Sequence, residues 1–190
     1  MTFYTRRLPH WHPPDADFFV TWRLYGSLPK SSTQVNQTQP PGASFVALDQ
    51  QLDRATTGPL WLKNLQVAEC VSEVLISGMS RWRFYELYAW VVMANHVHVL
   101  LRPLIPLHKA LMNIKSGSAR AANATLGRTG KPFWQDESFD HWVRNDSERS
   151  AIIRYIQSNP VTAGLVAEPE EWPWSSAGWQ RTALLHIHPT

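Results

Sequence analysis

Residues 83–103, RFYELYAWVVMANHVHVLLRP, constrain the fold of this chain more than any other stretch. Two runs rich in aromatic and β-branched residues are separated by a short Met-Ala-Asn segment at residues 93–95, which most simply indicates a β-hairpin. The second run carries His96 and His98. Because side chains alternate between the two faces of a strand, both histidines are expected on one face and Val97 on the other.

The segments on either side of this hairpin extend the pattern. Alternating side chains predict a strand at residues 17–28 and another near residues 133–145. Apolar residues at helical spacing predict one helix that runs to about Gly78 and a second that stops near Gly127. Strands and helices are therefore expected to be mixed along the chain.

A third helix is predicted after the last of these strands. Asn145 and Glu148 are spaced as in a capping box, and Pro160 is predicted to end the helix. The predicted order contains the βαββαβ pattern of a ferredoxin-like fold. We therefore expect an α+β protein, with a ferredoxin-like antiparallel sheet, helices on one face, and an additional C-terminal helix and tail.

The bulk properties fit one domain, residues 1–190, in which 44% of the residues are hydrophobic. A polar, Pro-rich stretch at about 29–42 is predicted to be a flexible loop, and residues at about 182–190 a C-terminal tail. No apolar run approaches the roughly 20 residues of a membrane span, and the N-terminus lacks the apolar core of a secretory signal. We expect a cytoplasmic protein with no membrane partner.

Spacing alone does not identify a metal site, because the chain contains three His-x-His pairs. His10 and His12 are flanked by prolines that disfavour a regular strand, and His186 and His188 lie in the predicted tail. The pair in the hairpin is the one in a convincing strand. From the residues alone, that pair is either a metal site or the polar side of a half-exposed strand.

A second motif follows in the third helix, within AIIRYIQSNPVTAGL at residues 151–165. Tyr155 and Asn159 are four residues apart, so they share one helix face if the helix continues to Asn159. Ile152 and Ile156 are expected to hold the helix to the sheet. By itself, Tyr155 also fits a packing residue of an amphipathic helix.

The two motifs together resemble a known family. WVVMANHVHVLLRP is similar to the histidine–hydrophobe–histidine signature of the HUH superfamily of single-strand DNA nucleases. RYIQSNPVTAGLV resembles the tyrosine helix of its single-tyrosine members, specifically the REP-associated tyrosine transposases. VTWRLYGSLP, GRTGKPFWQDESFDHWVR and EWPWSSA are also similar to this family, so the resemblance covers most of the chain. Ala94 departs from the proline that the family commonly has before Asn-His.

The resemblance implies a metal-dependent endonuclease and transferase that cleaves and rejoins single-stranded DNA at hairpins of repetitive extragenic palindromes (REP), through a covalent 5′-phosphotyrosine. Tyr155 is then the predicted nucleophile. His96, His98 and Asn159 are the predicted metal ligands, with Gln157 as the alternative to Asn159. The expected cofactor is Mg²⁺ or Mn²⁺, and two imidazoles favour Mn²⁺ at least as well. The expected partner is single-stranded or hairpin DNA in the nucleoid, bound by a monomer or homodimer.

Basic and aromatic side chains in the same half of the chain are predicted to contact DNA, because single strands bind in cationic grooves with stacking platforms. Arginine makes up 13 of the 18 basic residues, which agrees with a polyanionic partner. The predicted contacts are Arg120, Arg128, Lys131, Trp134, Arg144 and Arg154, with Trp142 interleaved. The alternatives are a hairpin-binding protein with little or no catalysis, and a small HUH relaxase or replication initiator.

Overall fold

The computed structural model describes residues 4–6, 8–10, 13, 15–28, 49–54 and 58–179. The predicted loop at about 29–42 and the predicted tail at about 182–190 lie outside the described residues, as do His12, His186 and His188. Within the described part of the chain, no helix is both long and apolar enough to cross a membrane.

The described residues form strands and helices that we number in chain order. They are β1 (Tyr4–Arg6), β2 (Leu8–His10), β3 (Phe18–Leu24), α1 (Leu65–Ser80), β4 (Tyr85–Val92), β5 (His96–Pro103), α2 (Leu107–Thr125), β6 (Trp134–Trp142) and α3 (Asp146–Thr162). Residues 49–54 are also helical, and single turns of 3-10 helix span Trp61–Lys63 and Pro169–Glu171.

The main sheet has four antiparallel strands in the order β4-β5-β3-β6. This order, with the chain sequence β3-α1-β4-β5-α2-β6, is the ferredoxin-like arrangement. The predicted α+β fold is therefore confirmed. The predicted hairpin is β4 and β5, and its turn is closed by a hydrogen bond of 2.9 Å from the backbone N–H of Met93 to the carbonyl of His96.

The two faces of the sheet carry different layers. On one face, α1 and α2 cover an apolar core to which β3 contributes Phe18, Val20, Trp22 and Leu24. On the other face, α3 packs against β4 and β5 over a smaller cluster that includes Phe19, Leu100, Ile152 and Ile156. The additional helix thus covers the face of the sheet that α1 and α2 leave open.

One expectation about the N-terminus is wrong. Prolines were expected to disfavour a strand near His10, but β2 includes Pro9 and pairs with β1, with Pro9 opposite Thr5. A ladder of two strands has only edge strands, and an edge position tolerates a residue without a backbone N–H.

The prediction that Pro160 ends the third helix is also wrong, because α3 continues to Thr162. Proline removes one backbone donor, but in the last turn this loses only one helical hydrogen bond. The turn is closed by the N–H of Ala163, which donates to the carbonyl of Asn159 at 2.9 Å. Asn159 consequently stays on the helix, one turn after Tyr155.

Of the two hydrogen bonds of the predicted capping box at the start of α3, one forms as predicted and the other has a different partner. Asn145 Oδ1 accepts a hydrogen bond of 2.9 Å from the N–H of Glu148, as a cap does. The Glu148 carboxylate does not return to Asn145 but accepts the N–H of Arg144 at 2.7 Å. The helix therefore begins where the spacing of Asn145 and Glu148 predicts.

Candidate metal centre and tyrosine

His96 and His98 lie in the middle of the sheet, because β5 has a neighbour on each side. Both residues are 0% exposed, and their Nε2 atoms are 3.0 Å apart. They lie on the α3 face, where the ring of His98 stacks on that of Phe19. The predicted common face is confirmed. The alternative of a half-exposed polar strand is wrong, since neither histidine reaches the surface.

Hydrogen bonds at the far side of each ring orient the two imidazoles. His96 Nδ1 lies 2.7 Å from Asn95 Oδ1, which can only accept, so this nitrogen carries the proton and Nε2 keeps a lone pair. His98 Nδ1 lies 2.7 Å from Thr21 Oγ1. Asn95 is itself held, because its amide N–H donates to the carbonyl of Leu52 at 3.0 Å. The two Nε2 atoms therefore point into the same small space.

Two aspartates that the sequence predictions did not include complete this space. Asp49 Oδ1 lies 3.1 Å from His98 Nε2 and 3.7 Å from His96 Nε2, and Asp53 Oδ1 lies 3.7 Å from His96 Nε2. They come from the helical residues 49–54. The signal that could have found them is LDQQLD at residues 48–53, in which two acidic residues four apart each follow a leucine, because this spacing puts both carboxylates on one helix face.

Burial and mutual charge set the protonation of these groups. Burial, with His98 alongside, lowers the pKa of His96 to about 3, so its ring is neutral at neutral pH. Burial alone would raise the pKa of Asp49, but the two histidines outweigh it and lower that pKa. Burial and the nearby Asp49 raise the pKa of Asp53 to about 6. A neutral imidazole and an ionised carboxylate are the forms that bind metal ions.

α3 brings the predicted tyrosine and amide to the same space. The ring centroids of Tyr155 and His98 are 5.7 Å apart, and the Tyr155 side chain is 37% exposed. Asn159 is 2% exposed, and its Nδ2 lies 3.5 Å from His98 Nε2. Gln157, the alternative ligand, has no described contact with either histidine. The tyrosine thus borders both the solvent and the buried cluster.

The donor set fits a divalent cation. One atom each from Asp49, His96 and His98 lie within 4.8 Å of one another. Asp53 Oδ1 and Asn159 Oδ1 are buried without a hydrogen-bond donor among the described residues. A buried acceptor without a donor is unfavourable unless a cation or another donor satisfies it. Oxygen and imidazole donors of this kind suit Mg²⁺, Mn²⁺ and zinc alike, so the cluster itself does not select the metal.

The residues predicted to contact DNA do not form one surface. Arg144 and Arg154 are exposed on the α3 side, whereas Arg120 is exposed on α2, which lies across the sheet from Tyr155. Lys131 is exposed in the loop after α2. Arg128 follows α2, and its guanidinium lies 3.9 Å from the ring centroid of Trp61.

The stacking role predicted for Trp134 does not fit its position. This side chain is 7% exposed, packs edge-on against Trp22, and donates a hydrogen bond of 3.0 Å from Nε1 to Ser118 Oγ. A ring without an exposed face has no surface for a base. Trp134 is therefore a core residue that links β6 to α2.

Residues 62–159, just over half of the chain, match the family model described as "Transposase IS200 like". The chain belongs to the IS200-like transposase family. The matched segment contains His96, His98 and Tyr155 and ends at Asn159, whereas Asp49 and Asp53 lie before it.

Two further comparisons identify individual proteins that are similar to this IS200-like transposase. A REP-associated tyrosine transposase of Escherichia coli K12 is 28% identical over 103 residues, which are 52% of this chain and 58% of that relative. The match thus spans little more than half the length of the relative. A solved structure of a REP-associated tyrosine transposase bound to a REP hairpin has a TM-score of 0.59 and 21% identity, covering 100% of this chain and 89% of that chain. That likeness shows the fold.

Proposed function

We propose that this IS200-like transposase is a metal-dependent single-stranded DNA endonuclease and transferase that forms a covalent 5′-phosphotyrosine at Tyr155. The observation that carries the proposal is the exposed phenol of Tyr155 beside a buried cluster of metal-type donor atoms. A nucleophile must reach its substrate from solvent, while the groups that hold a cation are best kept in fixed positions. The two requirements meet at this point of α3.

The reaction is a transesterification. Tyr155 Oη attacks the phosphorus in line and loses its proton, the new bond joins Oη to phosphorus, and the bond from phosphorus to the 3′ oxygen breaks. The 3′ oxygen leaves as a protonated hydroxyl. A divalent cation held by His96, His98 and Asp49 would polarise a nonbridging oxygen and orient the scissile group. Since a tyrosine has an ordinary pKa of about 10, the site must also favour the phenolate. Attack by a 3′ hydroxyl on the phosphotyrosine rejoins a strand and restores the phenol.

The proposed metal ligands are His96, His98, Asp49 and Asn159. The imidazoles bind through Nε2, because the Nδ1 atoms face Asn95 and Thr21. Asn159 binds through its amide oxygen, which requires the amide group to turn so that Oδ1 replaces Nδ2 next to His98. We expect Mg²⁺ or Mn²⁺ as the working ion, since both accept mixed oxygen and nitrogen ligands and would leave room for water and phosphate.

The proposed substrate is single-stranded DNA that carries a REP-type hairpin. The support is the name of the E. coli relative and the hairpin bound in the structural neighbour. Arg154 precedes the tyrosine, and Arg144 precedes α3, so both are proposed to contact phosphates on this side of the sheet. Arg120, Arg128 and Lys131 are proposed to contact a more distant part of a folded hairpin.

A covalent-adduct assay tests this function. The full chain is incubated with Mn²⁺ and a pool of 3′-labelled hairpin oligonucleotides with randomised single-stranded flanks, and labelled protein is detected on a denaturing gel. Tyr155→Phe is expected to remove the adduct. Tyr25→Phe is the matched control, because that side chain is 53% exposed and lies in a turn, and it should retain the adduct. Hairpin binding by the wild type without an adduct would favour the non-catalytic alternative, and an adduct that persists in Tyr155→Phe would reject Tyr155.

A further inference from the structure

Arg23 lies on the same face of the sheet as the candidate metal centre, and no step of the proposed reaction uses it. In β3 it is paired directly with His96 of β5. Side chains opposite each other in an antiparallel pair share a face, with Cβ atoms about 5 Å apart. The neighbours of Arg23 along β3, Trp22 and Leu24, belong to the core under α1 and α2. Because side chains alternate along a strand, Arg23 faces the α3 side.

The edge strand β6 leaves room beside Arg23. Trp22 of β3 lies opposite Ser138 of β6, but Leu24 lies opposite Trp134, so the register shifts between these two pairs. The residue of β3 between them, Arg23, therefore has no paired residue in β6. Bulges of this kind are frequent next to active sites, where they redirect side chains or interrupt the pairing.

The charge of Arg23 lacks a close counter-ion. Arg102, on the same face of β5, donates to the buried carboxylate of Asp17 at 2.8 Å. Among the described carboxylates, none forms an ion pair with Arg23. Burial lowers the pKa of Arg23, and the nearby carboxylate of Glu137 offsets only part of this effect. A partly buried cation without a counter-ion is unfavourable, and binding of an anion removes that cost.

Most donors of the Arg23 guanidinium are available to such an anion. Nη1 donates a hydrogen bond of 3.2 Å to Ser27 Oγ, in the turn after β3. A guanidinium has five N–H donors, and among the described residues Ser27 is the one that accepts from Arg23. Since Ser27 is buried, this contact holds the group in place before a ligand arrives. The remaining donors form a planar fork that matches two phosphate oxygens.

We propose that Arg23 binds a backbone phosphate of the single strand, next to the phosphate that Tyr155 attacks. The inference rests on the proposed function and adds a specific DNA contact to it. The hydrogen bond to Ser27 draws the guanidinium toward the turn after β3. The metal-type donors lie instead at the Nε2 atoms of His96 and His98. Arg23 therefore lies beside the metal centre, where a neighbouring phosphate of the same strand fits, and such contacts fix which linkage meets the nucleophile.

The salt dependence of DNA binding tests the proposal. The full chain is titrated with hairpin oligonucleotides that carry single-stranded flanks, and the slope of log affinity against log salt is measured. This slope is about −0.7 per phosphate contacted on a single strand, so Arg23→Gln should make it shallower by about 0.7. If the two affinities converge at about 1 M salt, the variant binds about fivefold more weakly at about 0.1 M. Arg23→Lys keeps the charge and should restore the slope.

The matched control is Arg81→Gln, because Arg81 is exposed at the end of α1, on the other face of the sheet. It should keep the wild-type slope. An unchanged slope in Arg23→Gln would overturn the proposal. A slope that Arg23→Lys fails to restore would also overturn it, since that result would indicate a structural role rather than a phosphate contact.

Neutral linkages locate the phosphate. One methylphosphonate is placed in turn at each linkage near the cleaved position of an oligonucleotide that gives the Tyr155 adduct. At one linkage beside the cleaved one, we expect about fivefold weaker binding by the wild type and no change for Arg23→Gln. Equal sensitivity of both proteins at every linkage would overturn the proposal. An adduct with a slope independent of Arg23 rejects this contact alone, whereas an Arg23-dependent slope without an adduct rejects the proposed reaction alone.

Discussion

The two faces of the sheet bury different kinds of side chain. Toward α1 and α2, β3 presents Phe18, Val20 and Trp22, each at most 1% exposed. Toward α3, the buried positions include His96 and His98, together with Thr21, Asn95, Asp49 and Asn159. Apolar burial stabilises a fold, whereas a buried polar group without a partner costs about 1–3 kcal/mol. The α1 and α2 face therefore stabilises the fold, whereas the α3 face contributes less stability because it buries polar groups that can bind a ligand.

The largest expected effect on stability is on the α1 and α2 face. Trp22→Ala removes a ring that is 1% exposed and leaves a cavity, so we expect a loss of about 3–5 kcal/mol in the free energy of unfolding, measured by urea denaturation. Trp82→Ala, at an exposed position, is the control and should cost far less. The Trp22→Ala variant should still bind Mn²⁺, because the candidate ligands lie on the other face of the sheet. A loss below about 1 kcal/mol in Trp22→Ala would contradict the claim that the α1 and α2 face contributes most of the stability.

A smaller loss of stability is expected when the ion pairs of Asp17 with Arg102 and Arg149 are removed. Asp17→Asn removes the charge that Arg102 and Arg149 contact, and these arginine side chains are 35% and 30% exposed. Solvent screening reduces the loss, so we expect about 1–2 kcal/mol in the same denaturation experiment. Asp15→Asn, at an exposed neighbouring position, is the control. Equal stability of the two variants would show that the Asp17 ion pairs contribute nothing.

The smallest effect concerns the first turn of α3. Partial burial alone would raise the pKa of Glu148, but hydrogen bonds from the Arg144 N–H and from His141 outweigh it and lower the pKa. A lowered folded-state pKa stabilises the protein above the ordinary value of 4.5, and this contribution is lost as the pH falls below it.

Glu148→Gln should therefore cost less than about 1 kcal/mol at pH 7, and the difference from the wild type should shrink between pH 5 and about pH 3. Thermal unfolding across this range measures it. Glu73→Gln, at an exposed position on α1, is the control and should show no such trend. A difference that grows as the pH falls would contradict the sign.

Local patterns were sufficient to predict the sheet and the histidine pair. Alternation along β5 predicts that His96 and His98 share a face, because that relation depends only on strand geometry. The same spacing did not predict their burial. Burial depends on α3 docking over the sheet, and on helical residues 49–54 approaching from elsewhere in the chain.

Long-range contacts explain what the sequence did not reveal. Asp49 precedes His96 by 47 positions, and its place beside the histidines depends on tertiary contacts such as the hydrogen bond from Asn95 to Leu52. Trp134 was predicted to stack on DNA because tryptophan does so when exposed, but the pairing of β6 with β3 turns it toward Trp22. Pro160 is tolerated because α3 ends only two residues later. Each of these outcomes is a property of packing rather than of local pattern.

The claim that the α3 face holds a divalent-cation site is tested most directly by calorimetric titration of the full chain with Mn²⁺. The wild type is expected to bind one ion per chain, with a gain of about 2.7 kcal/mol in unfolding free energy at 100 times the Kd. His98→Ala removes a proposed ligand and should weaken Mn²⁺ binding at least about tenfold. Mutation of a residue that only hydrogen-bonds to a metal ligand already weakens metal binding by about that factor. His108→Ala, exposed on α2, should bind like the wild type. Binding of Mn²⁺ by His98→Ala as tightly as by the wild type would contradict the claim.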